Sequence, residues 1–156
     1  LKGIIEPKSN NLAVNIEWFS DDGYRIDPLE TTQGEVLWGK ITVKRSKPSY
    51  STIEEVSVSQ VLPSGWEIEN LRLMGDSIPS WISSPKQNKE EYMDIRDDRI
   101  CWFFDLRGNN VYEFVFKVNA ITSGEFILPP TQVEAMYDKT YYARTAGWKV
   151  RVIQRR

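Results

Sequence analysis

Histidine is missing from this sequence altogether, and cysteine occurs once, at Cys101. The first absence excludes Ser-His-Asp and Cys-His nucleophile systems, most catalytic zinc sites and an unperturbed protonation switch near neutral pH. An enzyme built on this chain would have to work with carboxylates, lysine or tyrosine alone. The second absence excludes an intrachain disulfide and leaves the redox compartment unreadable. Charge of either sign is not in surplus: the formal net charge is −2 and the sequence pI about 5.3. Nothing there is suited to hold a phosphate backbone, so nucleic acid is not expected as a partner. No apolar run approaches the length of a membrane span and no basic-then-apolar leader opens the chain, so direct membrane insertion by this domain is not expected either. The chain opens on Leu1 rather than Met, which reads as a piece excised from something larger.

What is present is ordinary for a folded domain. The 156 residues are 40% hydrophobic and 27% charged, a length that buries roughly 70% of the unfolded surface in one unit. The recurring signal has period two. Leu12, Val14, Ile16 and Trp18 alternate with polar neighbours, as do Leu37, Ile41 and Val43, with Gly39 between them. Val56, Val58 and Leu62 continue the pattern; Tyr112, Phe114, Phe116, Val118 and Ala120 give the longest alternation. Phe126 and Leu128 follow, then Trp148, Val150 and Val152. "RICWFFDL" is apolar on both faces, as expected of a central strand covered on each side. Asp22-Gly23, Pro63-Ser64-Gly65 and Gly108-Asn109-Asn110 supply turns. The expectation is an all-β fold: an antiparallel β-sandwich of about seven or eight strands with immunoglobulin-like architecture.

Two stretches interrupt the alternation. Asp76 to Glu91 is polar and proline-marked and reads as a long connection. Between Pro129-Pro130 and Gly147 lies a stretch too short for a long helix and too polar for a core strand, yet it carries Met136, Tyr137, Tyr141 and Tyr142.

Several local patterns suggest chemistry and then fail. Gly34, Gly39 and Lys40 have the spacing of a phosphate-binding loop, but Ile41 stands where Ser or Thr should hold the metal, and a strand continues where a helix is needed. Glu90, Glu91, Asp94, Asp97 and Asp98 crowd together without the alternate oxygens and turn glycine of a calcium loop; the interleaved Arg96 and Arg99 partly neutralise them in place, and the run reads as a charged loop entering a buried strand. Two of those acids across a groove would serve a glycosidase, which spacing cannot establish. Cys101 has no neighbouring base and reads as a small buried hydrophobe. Of six tryptophans, Trp18 and Trp148 fall on buried faces, with Trp38 and Trp81 the better candidates for exposure. A row of exposed Trp rings would make a carbohydrate-binding or adhesive module, the alternative function for this chain. No enzyme activity, cofactor or metal is expected.

Taken in order, "QVLPSGWEIEN", "EYMDIRDDRICWFFDL", "YEFVFKVNAITSGEFILPPTQVEAMYD" and "RTAGWKVRV" resemble the C-terminal macroglobulin-type β-sandwich of bacterial alpha-2-macroglobulin-like proteins. The likeness runs from about Leu12 to Val152, with Leu1 to Asn11 as the tail of a preceding connection and residues 12–156 as the domain. The resemblance implies a non-catalytic part of a protease trap of the bacterial cell envelope, periplasmic, with a lipid anchor on the parent chain left open. In that family a separate helical domain carries a Cys–Gln thioester, which captures a protease after bait cleavage. Cys101 does not lie in the thioester motif. The implied partners are that helical domain and other domains of the same long chain, and target proteases through the whole protein. A Met-Tyr pair caps the thioester in family members, and the matching residues are Met136 and Tyr137. Tyr141, Tyr142 and Arg144 are assigned to the same docking surface. The competing reading is that Met136 and Tyr137 cover one end of the sandwich's own core.

Overall fold

The computed structural model describes residues 4–69, 79–82 and 92–156. Those residues contain no helix and form thirteen strands. They are β1 (Lys8–Asn10), β2 (Leu12–Ser20), β3 (Glu30–Thr32), β4 (Val36–Arg45), β5 (Thr52–Val61), β6 (Trp66–Glu69) and β7 (Tyr92–Ile95). Then come β8 (Arg99–Arg107), β9 (Tyr112–Ala120), β10 (Gly124–Leu128), β11 (Thr131–Ala135), β12 (Tyr142–Arg144) and β13 (Trp148–Ile153). The strands with long apolar alternation are the expected ones. The additional strands, β1, β3, β6, β7, β11 and β12, have only three to five residues, too few for periodicity to stand out.

Two sheets form the sandwich. One runs β1-β12-β11-β5-β8-β7 and the other β2-β4-β9-β6, all pairs antiparallel. A third ribbon, β10-β13-β3, includes one parallel pair, β13 with β3, an exception to the antiparallel expectation. Inward faces meet in a single core: Leu37, Ile41, Val43, Phe114, Phe116 and Val118 from one side, Val56, Val58, Trp102, Leu106, Val133 and Ala143 from the other. Burying each large apolar side chain contributes roughly 1.5–3 kcal/mol.

Gly39 illustrates how the packing dictates sequence. It pairs with Trp18 on β2 and Phe116 on β9, and those two rings meet over it edge-on at 5.5 Å between centroids. A Cβ at Gly39 would overlap the Phe116 ring. The glycine that mimics a phosphate loop is a notch for an aromatic pair.

The segment after Pro130 departs from expectation. Thr131, Val133 and Ala135 are buried and Gln132 and Glu134 exposed, so β11 is a core strand lying between β5 and β12. Its polarity misleads because Thr131 is satisfied internally: its hydroxyl donates to Gln60 and its amide to Thr145 Oγ1 at 2.8 Å. β8 is fully covered on one side only. Ile100, Trp102, Phe104 and Leu106 are buried, whereas Cys101, Phe103 and Asp105 on its outer face are half-buried. Cys101 is therefore not a core residue, although burial, followed by the Asp94 carboxylate, pushes its thiol pKa up.

Trp38 is also not exposed. It retains 1% of its surface because the outer face of the four-stranded sheet is itself covered: Trp81 meets Trp38 edge-on at 6.1 Å and Phe19 at 5.4 Å. Asp21 secures both indoles, accepting from Trp38 Nε1 at 2.9 Å through its carboxylate and from Trp81 Nε1 at 3.0 Å through its carbonyl. Trp81 and Trp148 are half-buried and the other four tryptophans are buried, so no row of solvent-facing rings exists. Most of the expected connection from Asp76 to Glu91 lies outside the described residues.

Candidate functional site

All five residues singled out from the sequence lie on one hairpin, formed by β11, β12 and the turn between them. Met136 and Tyr137 occupy the start of that turn, directly after the buried Ala135, and are 51% and 82% exposed. Isolated exposed hydrophobics are common on any protein. Here two large ones are adjacent, on a backbone held from several sides.

The holding bonds can be traced. Met136 N donates to Glu55 O at 2.9 Å, Ala135 N to Tyr141 O at 3.1 Å, and Tyr141 N to Asp138 O at 3.1 Å. Asp138 Oδ1 accepts from the Thr140 amide at 3.1 Å and the Thr140 hydroxyl at 2.6 Å, an Asx-type local closure. These Thr140 bonds, the hydroxyl first, hold the Asp138 carboxyl below the ordinary Asp range. Thr140 O accepts from Asn11 Nδ2 at 2.8 Å. Glu55 lies at a β-bulge, where the β5–β8 register shifts between Ile53 and Val56. It has φ +52°, unusual for a residue with a side chain, and its amide donates to Asp105 Oδ1 at 2.9 Å.

The other three residues sit differently. Tyr141 is half-buried, packs against the core and lies 5.9 Å from the Arg45 guanidinium. Arg45, only 9% exposed, donates through Nε to Gly108 O at 2.9 Å and through Nη2 to Ser51 O and, at 3.1 Å, to Ser51 Oγ. Tyr142 and Arg144 flank the buried Ala143 and so face outward from the six-stranded sheet. Tyr142 lies between Asn10 and Glu134, and Arg144 between Lys8 and Gln132. Arg144 Nε also donates to Glu6 O at 2.9 Å. Met136 and Tyr137 thus form an outward pair, Tyr141 is their inward anchor, and Tyr142 and Arg144 belong to the adjoining sheet face.

Sequence reasoning missed Asn11, Arg45 and Glu55, which fix this hairpin. Asn11 carries a legible hint, since asparagine tolerates its φ of +61°. Nothing in the sequence marks Glu55.

Among the described residues, one shallow concavity of about 310 Å³ adjoins Arg144 and Lys8, and two others lie away from the Met136-Tyr137 turn. One, of about 400 Å³, is lined by Ile16, Trp18, Leu29, Leu128 and Trp148 among others, with Gln60 and Thr131 in its wall. Gln60 Nε2 already donates to Val61 O at 2.7 Å and Pro129 O at 3.0 Å, so these polar groups serve the fold. The other, of about 220 Å³, is the aromatic recess around Phe19, Trp38 and Trp81. Of the acidic run, Asp94 pairs with Arg96 at 3.1 Å and Asp98 with Arg99 at 3.0 Å, while Glu90 and Glu91 lie outside the described residues. Among the described residues no three Cys, Asp or Glu groups converge as a metal site.

Comparison with known proteins places this hairpin in a wider setting. An alpha-2-macroglobulin of Xylella fastidiosa is 26% identical over 136 residues, which cover 82% of this chain and 8% of that protein. Among solved structures, a point mutant of Salmonella alpha-2-macroglobulin is 27% identical with a TM-score of 0.80, covering 95% of this chain and 10% of the other. Salmonella alpha-2-macroglobulin reacted with methylamine is 25% identical with a TM-score of 0.76 and the same shares. The chain therefore spans about a tenth of the length of each of these relatives. Residues 12–139, including the Met136-Tyr137 turn, match the family described as Bacterial Alpha-2-macroglobulin MG10 domain. A match over that much of the chain, on a fold shared by the relatives, makes this chain a member of the bacterial alpha-2-macroglobulin MG10 domain family.

Proposed function

We propose that this domain is the C-terminal macroglobulin-type β-sandwich of a periplasmic, alpha-2-macroglobulin-like protease-trapping protein of the bacterial cell envelope, and that it performs no reaction itself. It docks on the helical thioester domain of the same parent chain and shields the labile bond until bait cleavage moves the domains apart. The observation that carries this reading is the outward Met136-Tyr137 pair on a turn whose backbone is already fixed. A thioester persists only where water and amines are kept away. Methionine fills an irregular apolar gap without offering a proton, and tyrosine adds a broad ring with one hydrogen-bonding end. Because the turn is held by Glu55, Tyr141 and Asp138, presenting the pair requires little further ordering, which favours association.

The test uses the full-length protein. Met136→Ala/Tyr137→Ala is expected to raise incorporation of labelled methylamine in the absence of protease, while the protease-cleaved form incorporates it as the parent protein does. Because both side chains are exposed, the substitutions should leave the stability of the sandwich within about 0.5 kcal/mol. Unchanged labelling, in a protein that does incorporate methylamine after cleavage, would remove the shielding role.

A further inference from the structure

The surroundings of the Met136-Tyr137 pair are acidic. Glu54 and Glu55 are exposed on the β5 bulge to which Met136 is hydrogen-bonded. Glu134 is exposed on β11 two residues before Met136, and Asp138 is exposed on the turn itself. Asp105 lies behind the bulge, its carboxylate on the Glu55 amide. Elsewhere several acids are matched by cations: Glu17 by Arg25, Asp94 by Arg96, Asp98 by Arg99, Glu69 by Lys117 and Glu125 by Arg151. Among the described residues, none of the acids at the hairpin has an ion pair. Lys139 is the only cation in the turn from Met136 to Tyr141. Four exposed carboxylates around two exposed apolar side chains repel one another in the free domain, and that repulsion is relieved when the opposing surface carries positive charge.

We propose that the surface receiving Met136 and Tyr137 is an apolar socket rimmed by lysine or arginine, on a neighbouring domain of the same parent chain, with Glu54, Glu55, Glu134 and Asp138 as its electrostatic counterpart. This rests on the docking role proposed above and adds the chemistry of the partner. An apolar centre with a charged rim divides the work in the usual way, the centre excluding water and the rim setting orientation and rejecting wrong partners. Rim charges are screened as ionic strength rises, the screening length falling from about 10 Å at 0.1 M salt to about 3 Å at 1 M. Seating of the pair therefore loosens in salt.

The test compares methylamine incorporation into uncleaved full-length protein at about 0.05 M and about 1 M NaCl, each normalised to the protease-cleaved form at the same salt. Incorporation is expected to rise severalfold with salt. Glu54→Lys/Glu134→Lys is expected to show the high value already at low salt, and Glu54→Gln/Glu134→Gln an intermediate one. Both pairs leave Asp138 and the Glu55 backbone in place, and unchanged thermal unfolding confirms that the sandwich is intact. If salt and charge reversal have no effect while Met136→Ala/Tyr137→Ala opens the site, the basic rim is overturned and the shielding role stands. If the Met-Tyr double variant also has no effect, both are overturned.

Discussion

Residue by residue, the molecule rewards reading each side chain against the two neighbours across its strand. Gly39 shows this most directly, since Trp18 and Phe116 close over it from β2 and β9. Gly39→Ala forces the Phe116 ring out of its place and is expected to destabilise the domain by about 1–3 kcal/mol, the range for overpacking a filled core. Urea unfolding checks it; a variant with an unchanged midpoint would mean that the ring has room to turn aside. Trp38 teaches the opposite lesson. Alternation correctly puts it on the face opposite Leu37 and Ile41, but a face opposite the core need not meet solvent, and Trp81 from a distant part of the chain covers it. Cys101 misled in the reverse direction: its neighbours in sequence are apolar, yet it stands on the less covered side of β8.

Among the elements, the long strands were legible because inward residues are strongly apolar and turns carry glycine, asparagine or proline. β9 is the clearest, buried at every second residue from Tyr112 to Ala120. β11 was not legible, because Thr131 and Ala135 are weak hydrophobes and the polar partners that satisfy Thr131 lie outside its strand, Thr145 14 residues away and Gln60 71 residues away. The Met136-Tyr137 pair could be named from the family resemblance, while its exposure and its fastening to the bulge at Glu55 emerge only from the pairing of β11 with β5. The turn also carries an acid-sensitive joint. Thr140 lowers the pKa of Asp138 below its reference of 3.8, so the charged form is favoured in the folded turn. That contribution is complete above the unfolded value and is lost as pH falls through the lower, folded one. Thr140→Val removes the hydroxyl donor and is expected to move the Asp138 titration upward toward the reference value, as followed by carboxyl-carbon NMR. An unmoved midpoint would leave the backbone amide as the dominant influence.

Over the whole molecule, the beginning and end of the chain are interwoven. β1 pairs with β12, Gly147 N donates to Ile5 O at 2.9 Å and Ile5 N to Gly147 O at 3.4 Å, and Arg144 Nε donates to Glu6 O. Deleting residues 1–10 turns β12 into a bare edge, a template for pairing with another chain. A loss of about 1–2 kcal/mol would lower the melting midpoint by about 2–8 °C for a domain of this size. Calorimetry together with light scattering checks both effects; a monomer melting at the original temperature would show that β1 adds nothing.

The bond from Met136 N to Glu55 O has a mechanical corollary. It ties the first residue of the protruding pair to β5, an inner strand of the six-stranded sheet. On the docking proposed above, the pair is withdrawn by movement of the sandwich as one body, not by retraction of the turn alone.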